Sequence, residues 1–352
     1  MKIILDAMGG DNAPLEILKG AVDAINEFDI EIVLVGDKHR IDAVAAENNI
    51  DISKFEIVHT AVSVGMDDDP MTVLRAKKES SMCVGLRMVA AGDGNAFVSA
   101  GNTGALFTAA SLIVRKIPGI QRAAIASILP MQPPVLLLDS GANINVTDEY
   151  IEQFAIMGNV YMKSIFGLES PRIGLLNNGA ESSKGTQLQL DAYQRLSLNT
   201  DLNFVGNIEA NRVPFDACDV LVTDGFTGNV LLKSIEGMGK LMIKTLRDTF
   251  GKNLRTKASY LMMKDQVGEI RKNFDSSTYG GAPMLGLKKP VIKAHGSSKA
   301  RAIKNAIRQA MNYSETNVTG AVSREILRLT DKRKSMLESE NAVDHNGTDD
   351  IK

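Results

Sequence analysis

Cysteine is nearly absent: Cys83 and Cys218 are the only two in 352 residues. That excludes a disulfide framework and a cysteine-ligated metal site, and it suits a reducing compartment, with both thiols read as half-buried core groups. Long apolar runs are missing too. None approaches the roughly 20 residues that a membrane span needs, and the opening "MKIILDAMGG" is too short and wrongly flanked for a signal peptide, so a cytoplasmic chain is expected. Several catalytic and nucleotide signatures are also lacking. There is no Gly-x4-Gly-Lys-Ser/Thr, which excludes a P-loop. There is no Gly-x-Gly-x-x-Gly after the first strand, no Gly-x-Ser-x-Gly elbow and no His-Glu-x-x-His, so dinucleotide, serine-hydrolase and zinc-peptidase sites are not expected. The net charge of −2 argues against nucleic acid as the main partner.

The charge that is present is unevenly placed. Lys233 to Arg308 holds seventeen Lys and Arg against five Asp and Glu, a local excess of +12. An anionic substrate, an acidic protein or an anionic membrane surface is the partner such a segment fits. With 44% hydrophobic residues the chain can bury a large core. Near-continuous apolar runs such as "KIILDAMGG", "IEIVLVGD", "AFVSAGN", "VLLLDSGAN", "DVLVTDG" and "PVIKAHG" alternate with helical patterns. This predicts a three-layer α/β/α fold with a mostly parallel sheet. "AAIASILP" and "PVLLLDSGAN" are separated only by "MQP", so one of that pair must run antiparallel. Helices are predicted near 14–27, 71–91, 103–115, 147–166, 184–197, 227–250 and 298–334. Residues 1–334 are read as one catalytic domain and 335–352 as a disordered tail.

Open α/β sheets bind ligands beyond the carboxyl ends of their strands, where helix N-termini offer free N–H groups. "SAGNTG" at 99–104 and "TDGFTG" at 223–228 share one pattern there, and "HGSSKA" at 295–300 adds His295, two hydroxyls and Lys299. Each loop alone is a weak signal, because glycine after a strand often serves only the turn. Together they predict two walls of one oxyanion pocket. The other three histidines, His39, His59 and His345, are read as structural or solvent-exposed, and Ser297 or Ser298 serves equally well as a helix N-cap. Asp11 and Asn12 are candidate caps for the first helix, and Asp6 and Asp139 are as readily carboxylates that bind neighbouring loop N–H groups.

"DAMGGD" at 6–11, "SAGNTGA" at 99–105, "LLLDSGAN" at 136–143, "RIGLLNNGAESSKGT" at 172–186, "FVGNIE" at 204–209, "DVLVTDGFTGNVLLK" at 219–233 and the stretch from "GGAPMLG" to "HGSS" at 280–298 resemble, in order, the PlsX-type phosphate acyltransferases. The resemblance covers about residues 1–330 and departs in two places. "IEANRVPF" replaces the usual continuation after "GNIE", and "GLKKPVIKAHGSS" is more basic than the family pattern. It implies transfer of a fatty acyl group from acyl carrier protein to inorganic phosphate, giving acyl phosphate for phospholipid synthesis. It also implies a homodimeric relative of the isocitrate and isopropylmalate dehydrogenases and of the phosphotransacetylases, with no cofactor and no metal.

Such chemistry needs no strong base. Phosphate is already largely dianionic near neutral pH, and a thiol leaving group has a pKa of about 8.5, so positioning and charge stabilisation are the main demands. On this reading Ser99, Gly101, Asn102 and Thr103 bind phosphate with help from Lys184. His295 and Ser297, beside Ser298, polarise the thioester carbonyl or protonate the sulfur. Asp224 and Asn229 orient them from a loop that includes Gly225 and Thr227, and Asp6 acts likewise. Leu254, Ala258, Leu261 and Met262 lie at helical spacing within the basic amphipathic segment 252–272, ringed by Lys and Arg. They fit reversible contact with an anionic membrane, packing in the core, or packing against a dimer mate. Acidic acyl carrier protein is a second partner for the basic excess. The alternatives are a phosphotransacetylase acting on acyl-CoA and a non-catalytic scaffold that binds acyl carrier protein at a membrane.

Overall fold

The computed structural model describes residues 1–273 and 279–346. Eleven strands form one sheet: β1 (Lys2–Asp6), β2 (Glu31–Gly36), β3 (Glu56–His59), β4 (Ala96–Ser99), β5 (Ala124–Leu129), β6 (Val135–Leu138), β7 (Arg172–Asn177), β8 (Asn203–Glu209), β9 (Val220–Val222), β10 (Gly281–Leu285) and β11 (Val291–Ala294). Their order is β3-β2-β1-β4-β11-β10-β5-β6-β9-β7-β8.

Unbroken apolar strands are what a sheet covered on both faces requires. Ile3 and Leu5 pack with α1 (Leu15–Glu27) and α11 (Ala300–Glu315), while Ile4 between them packs with α4 (Ser81–Ala91) and α5 (Thr103–Ile113). The other half repeats the arrangement. Leu136 and Leu138 meet α6 (Asp148–Phe166) and α12 (Val318–Asn346), whereas Leu137 faces α8 (Gly225–Gly251). Each fully buried Leu or Ile contributes about 1.5–3 kcal/mol, so this alternation is the main stabilising feature of the three layers.

Strand direction changes at the middle. β1, β2, β3, β4 and β11 run parallel to one another, as do β6, β9, β7 and β8. β10 is antiparallel to both β11 and β5, and β5 is antiparallel to β6. The two halves therefore run in opposite senses. The antiparallel pair predicted from the short "MQP" connector is β5 and β6. β10 was not predicted, because "GAPML" carries a glycine and a proline where a central strand is not expected. Pro283 is tolerated where the ladder changes neighbours: Gly281, Ala282 and Pro283 pair with β11, and Met284 and Leu285 pair with β5.

Two further helices are α2 (Lys38–Glu47), which the predicted ranges do not include, and α7 (Gln187–Leu198), predicted at 184–197. Helix boundaries differ most from expectation in three other places. The 71–91 pattern is two helices, α3 (Pro70–Ala76) and α4, because Ser80 starts α4 afresh by accepting the N–H of Cys83. The 298–334 pattern divides at Asn317, whose φ is 49°. α12 continues to Asn346, so 335–346 is helical where a disordered tail was expected, and 347–352 lie outside the described residues. The basic segment holds α9 (Leu254–Met262) and α10 (Lys264–Asn273). No helix among the described residues is long and apolar enough to cross a membrane.

Candidate active site

The "DAMGGD" turn ends β1 by burying Asp6, which is 1% exposed. Its carboxylate accepts the Ser99 hydroxyl at 2.7 Å and the Met8 N–H at 3.1 Å, and Ser99 Oγ in turn accepts the Gly101 N–H at 3.0 Å. Burial pushes the Asp6 pKa up, against the pull of hydrogen bonds from Ser81 and Ser99. Gly9 is needed here because a Cβ would lie 2.6 Å from Asp6 Oδ2 and 2.7 Å from the Gly101 nitrogen. Ser99 and Asp6 thus fix the path of the "SAGNTG" loop from behind. Asn102 caps α5 by accepting the Ala105 N–H at 3.0 Å, and its amide donates to the carbonyls of Met66 and Asp68. Thr103 is the side chain this loop leaves facing the cavity described below.

On the other half, "LLLDSGAN" buries Asp139 completely. The carboxylate accepts the backbone N–H groups of Ile125, Gly141, Ala142 and Asn143 and the Asn143 amide, the shortest at 2.6 Å. Burial again pushes its pKa up while these donors pull it back. The first turn of α8 rests on this loop: Gly225 donates its N–H to the Asn143 carbonyl, and a Cβ on Gly228 would sit 2.0 Å from the Asp139 carbonyl oxygen. Asp224 caps α8 by accepting the Thr227 N–H at 2.8 Å and the Thr227 hydroxyl at 2.6 Å. Gly225 and Thr227 therefore serve the start of α8, and Asn229, one residue past Gly228, reaches the cavity.

The third loop follows β11. His295 Nδ1 accepts the Ser297 N–H at 3.2 Å and lies 2.9 Å from Ser297 Oγ, which leaves the proton of the neutral ring on Nε2. Burial, with Lys233 nearby, pushes the His295 pKa down. Neither Ser297 nor Ser298 caps α11. That helix starts at Lys299 without a side-chain cap, and Glu16 accepts the Ala300 N–H instead. Nor do Asp11 and Asn12 cap α1, whose N-cap is Pro14; Asn12 donates to the carbonyls of Ser297 and Ser298 and ties the first loop to the third.

These loops converge at the seam between the two halves of the sheet. A cavity of about 720 Å³ is lined by Thr103 and Gly104 from α5, Ser140 and Gly141 after β6, Asn229 and Lys233 from α8, Gly280 to Ala282, and Lys293 and His295 of β11 and its loop. It shares His295, Glu236 and Gly280 with a second cavity of about 910 Å³, lined by Lys240, Lys244 and Arg247 of α8 and by Lys299 and Arg301. Lys184 lies elsewhere: it is exposed in the loop after β7 and is not among the residues lining either cavity. Lys293 was not singled out from the sequence, although the unusually basic "GLKKPVIKAHGSS" was a signal for it. Among the described residues no group of three or more His, Cys, Asp or Glu is placed to hold a metal.

The fold is shared with phosphotransacetylases. The EutD phosphotransacetylase from Staphylococcus aureus shares this fold with a TM-score of 0.56 over 90% of this chain and 94% of that one, at 14% identity. The sequence narrows the class further. Residues 1–321 match the family described as "Fatty acid synthesis protein". The chain is 42% identical to the phosphate acyltransferase of Thermoanaerobacter pseudethanolicus, over 94% of this chain and 99% of the relative. It is 45% identical to the phosphate acyltransferase of Thermoanaerobacterium thermosaccharolyticum, over 93% and 97% respectively. The chain belongs to this family, the phosphate acyltransferases.

Proposed function

We propose that the chain transfers a fatty acyl group from acyl carrier protein to inorganic phosphate, yielding acyl phosphate for phospholipid synthesis. The observation that carries this reading is the seam cavity, where the start of α5, Asn229 and His295 face one space. Phosphate sits against Thr103 and the free N–H groups of the first turn of α5, behind which Asp6, Ser99, Gly101 and Asn102 hold the loop. His295 directs Nε2–H at the thioester carbonyl, with Ser297 fixing the ring and Asn229 opposite. The attacking phosphate is already an anion and the departing thiol is a fair leaving group, so no strong base or acid is demanded.

Acidic acyl carrier protein docks on the basic wall of the second cavity, where Lys240, Arg247 and Lys299 stand next to His295. Leu254, Ala258, Leu261 and Met262 are all exposed, so within one chain they do not pack in the core. They form the reversible contact with an anionic membrane, and the enzyme acts as a cytoplasmic homodimer. Flotation with liposomes tests the contact: Leu254→Glu with Leu261→Glu is expected to abolish it, and unimpaired flotation excludes it. Sedimentation of the purified chain tests the dimer.

Phosphate-dependent turnover of long-chain acyl carrier protein, with the product trapped by hydroxylamine, tests the reaction, and turnover without phosphate dependence overturns it. The fold shared with a phosphotransacetylase favours one alternative, in which acyl-CoA is the donor. Matched acyl chains on the two carriers separate them by rate. A scaffold without catalysis yields no hydroxamate at all.

A further inference from the structure

Lys293 occupies a position no other cation in the described chain shares. It stands in the middle of β11, 7% exposed, between the fully buried Ile292 and Ala294, and pairs across the ladder with Ser99 of the "SAGNTG" loop. Its side chain reaches the wall of the seam cavity. Its ammonium donates to two backbone carbonyls, those of Ala100 (3.4 Å) and Ala294, and no carboxylate among the described residues is within ion-pair distance of it. An ammonium has three hydrogens, so one is left for the cavity. Burying a charge without a counter-ion is costly unless a ligand supplies it.

We propose that Lys293 is the cation that binds the attacking phosphate, its third N–H donating to a phosphate oxygen beside Thr103 at the start of α5. The proposal rests on the reading of this cavity as the phosphate site. It also explains the backbone geometry. The Ala100 carbonyl that holds the ammonium belongs to the same loop whose following N–H groups open α5, so cation and helix start are positioned by one turn. Burial pulls the Lys293 pKa down to about 8, with Asp11 and Asp6 acting to raise it and Lys233 of α8 to lower it. The ammonium is therefore charged at neutral pH and loses its proton above about 8, while phosphate stays dianionic.

The test compares the full-length enzyme with Lys293→Met and Lys293→Arg. Lys293→Met is expected to raise the phosphate KM by at least about tenfold while the acyl-donor KM moves by less than about twofold, and Lys293→Arg recovers part of the loss. Inorganic phosphate is expected to raise the melting temperature of the parent and not of Lys293→Met, a binding readout independent of turnover. Lys293→Met in the absence of phosphate is expected to melt no lower than the parent, since it removes an uncompensated buried charge; a purely structural lysine would melt lower. The parent alone provides a check that needs no variant: its phosphate KM rises as pH passes about 8, with little change in the acyl-donor KM. A parent that turns over with phosphate but shows a flat phosphate KM to pH 9, or a Lys293→Met phosphate KM within about twofold of the parent, overturns the assignment. Absence of phosphate-dependent turnover in the parent instead overturns the functional reading beneath it.

Discussion

Each half of the sheet carries a buried aspartate at the carboxyl end of a strand, Asp6 closing β1 and Asp139 following β6, and the two seats differ in kind. Asp139 sits in a cage of donors: four backbone N–H groups and one amide point at its two oxygens. Asp6 is held by a mixed set, the backbone N–H groups of Met8 and Gly9 and the hydroxyls of Ser99 and Ser81, and a hydroxyl can itself donate or accept. The cage fixes the bed on which α8 lies, where Gly228 permits contact that any side chain would block. The hydroxyl relay through Ser99 fixes the loop that opens α5. A seat made of donors alone demands a carboxylate, whereas a seat containing a hydroxyl can be satisfied by an amide.

That difference can be broken by substitution. Gly228→Val is expected to have the largest effect, a loss of about 3 kcal/mol or more in urea unfolding, because its Cβ would meet the Asp139 carbonyl at 2.0 Å. Asp139→Asn follows with about 3 kcal/mol, since an amide NH2 placed among N–H donors leaves at least one of them buried and unpaired. Asp6→Asn is expected to cost only about 1 kcal/mol, because its amide can donate to the hydroxyl oxygens of Ser99 and Ser81 while its oxygen keeps the Met8 N–H. Equal losses at 139 and 6 would erase the distinction between the seats. The pH dependence sharpens it. Burial raises the Asp6 pKa above its ordinary 3.8, so the folded state binds that proton more tightly. The associated stability is present below 3.8 and lost as pH rises through the folded value. Asp6→Asn is expected to remove that part of the slope from a pH series of melting temperatures.

The layers, most strands and the convergence of the glycine-rich loops were legible because they rest on local signals: unbroken apolar runs, short connectors and repeated turn patterns. β10 was not, because its place depends on two neighbours far away in the chain that accept a proline only where the ladder switches between them. Side-chain direction was the harder matter. Ser99 and Asn102 looked like ligands in a list of polar residues, yet one is turned to Asp6 and the other to Ala105 and the loop at 66–68. Lys293 stood in a run of lysines that reads as solvated surface, and only the pairing of β11 with β4 puts it at the cavity wall. Lys184, in the glycine-rich loop after β7, is exposed and lines neither cavity within one chain.

The two helix caps at the seam carry an electrostatic consequence of their own. The amino end of an α-helix bears about half a positive charge, and a cap decides how much of it remains for a ligand. α8 is capped by Asp224, a carboxylate that cancels this charge, whereas α5 is capped by Asn102, a neutral amide that leaves it standing. Two walls that look alike in sequence thus differ in polarity. At the α5 wall the helix charge is left standing, whereas at the α8 wall positive charge comes from lysine side chains such as Lys233 instead of from the helix end.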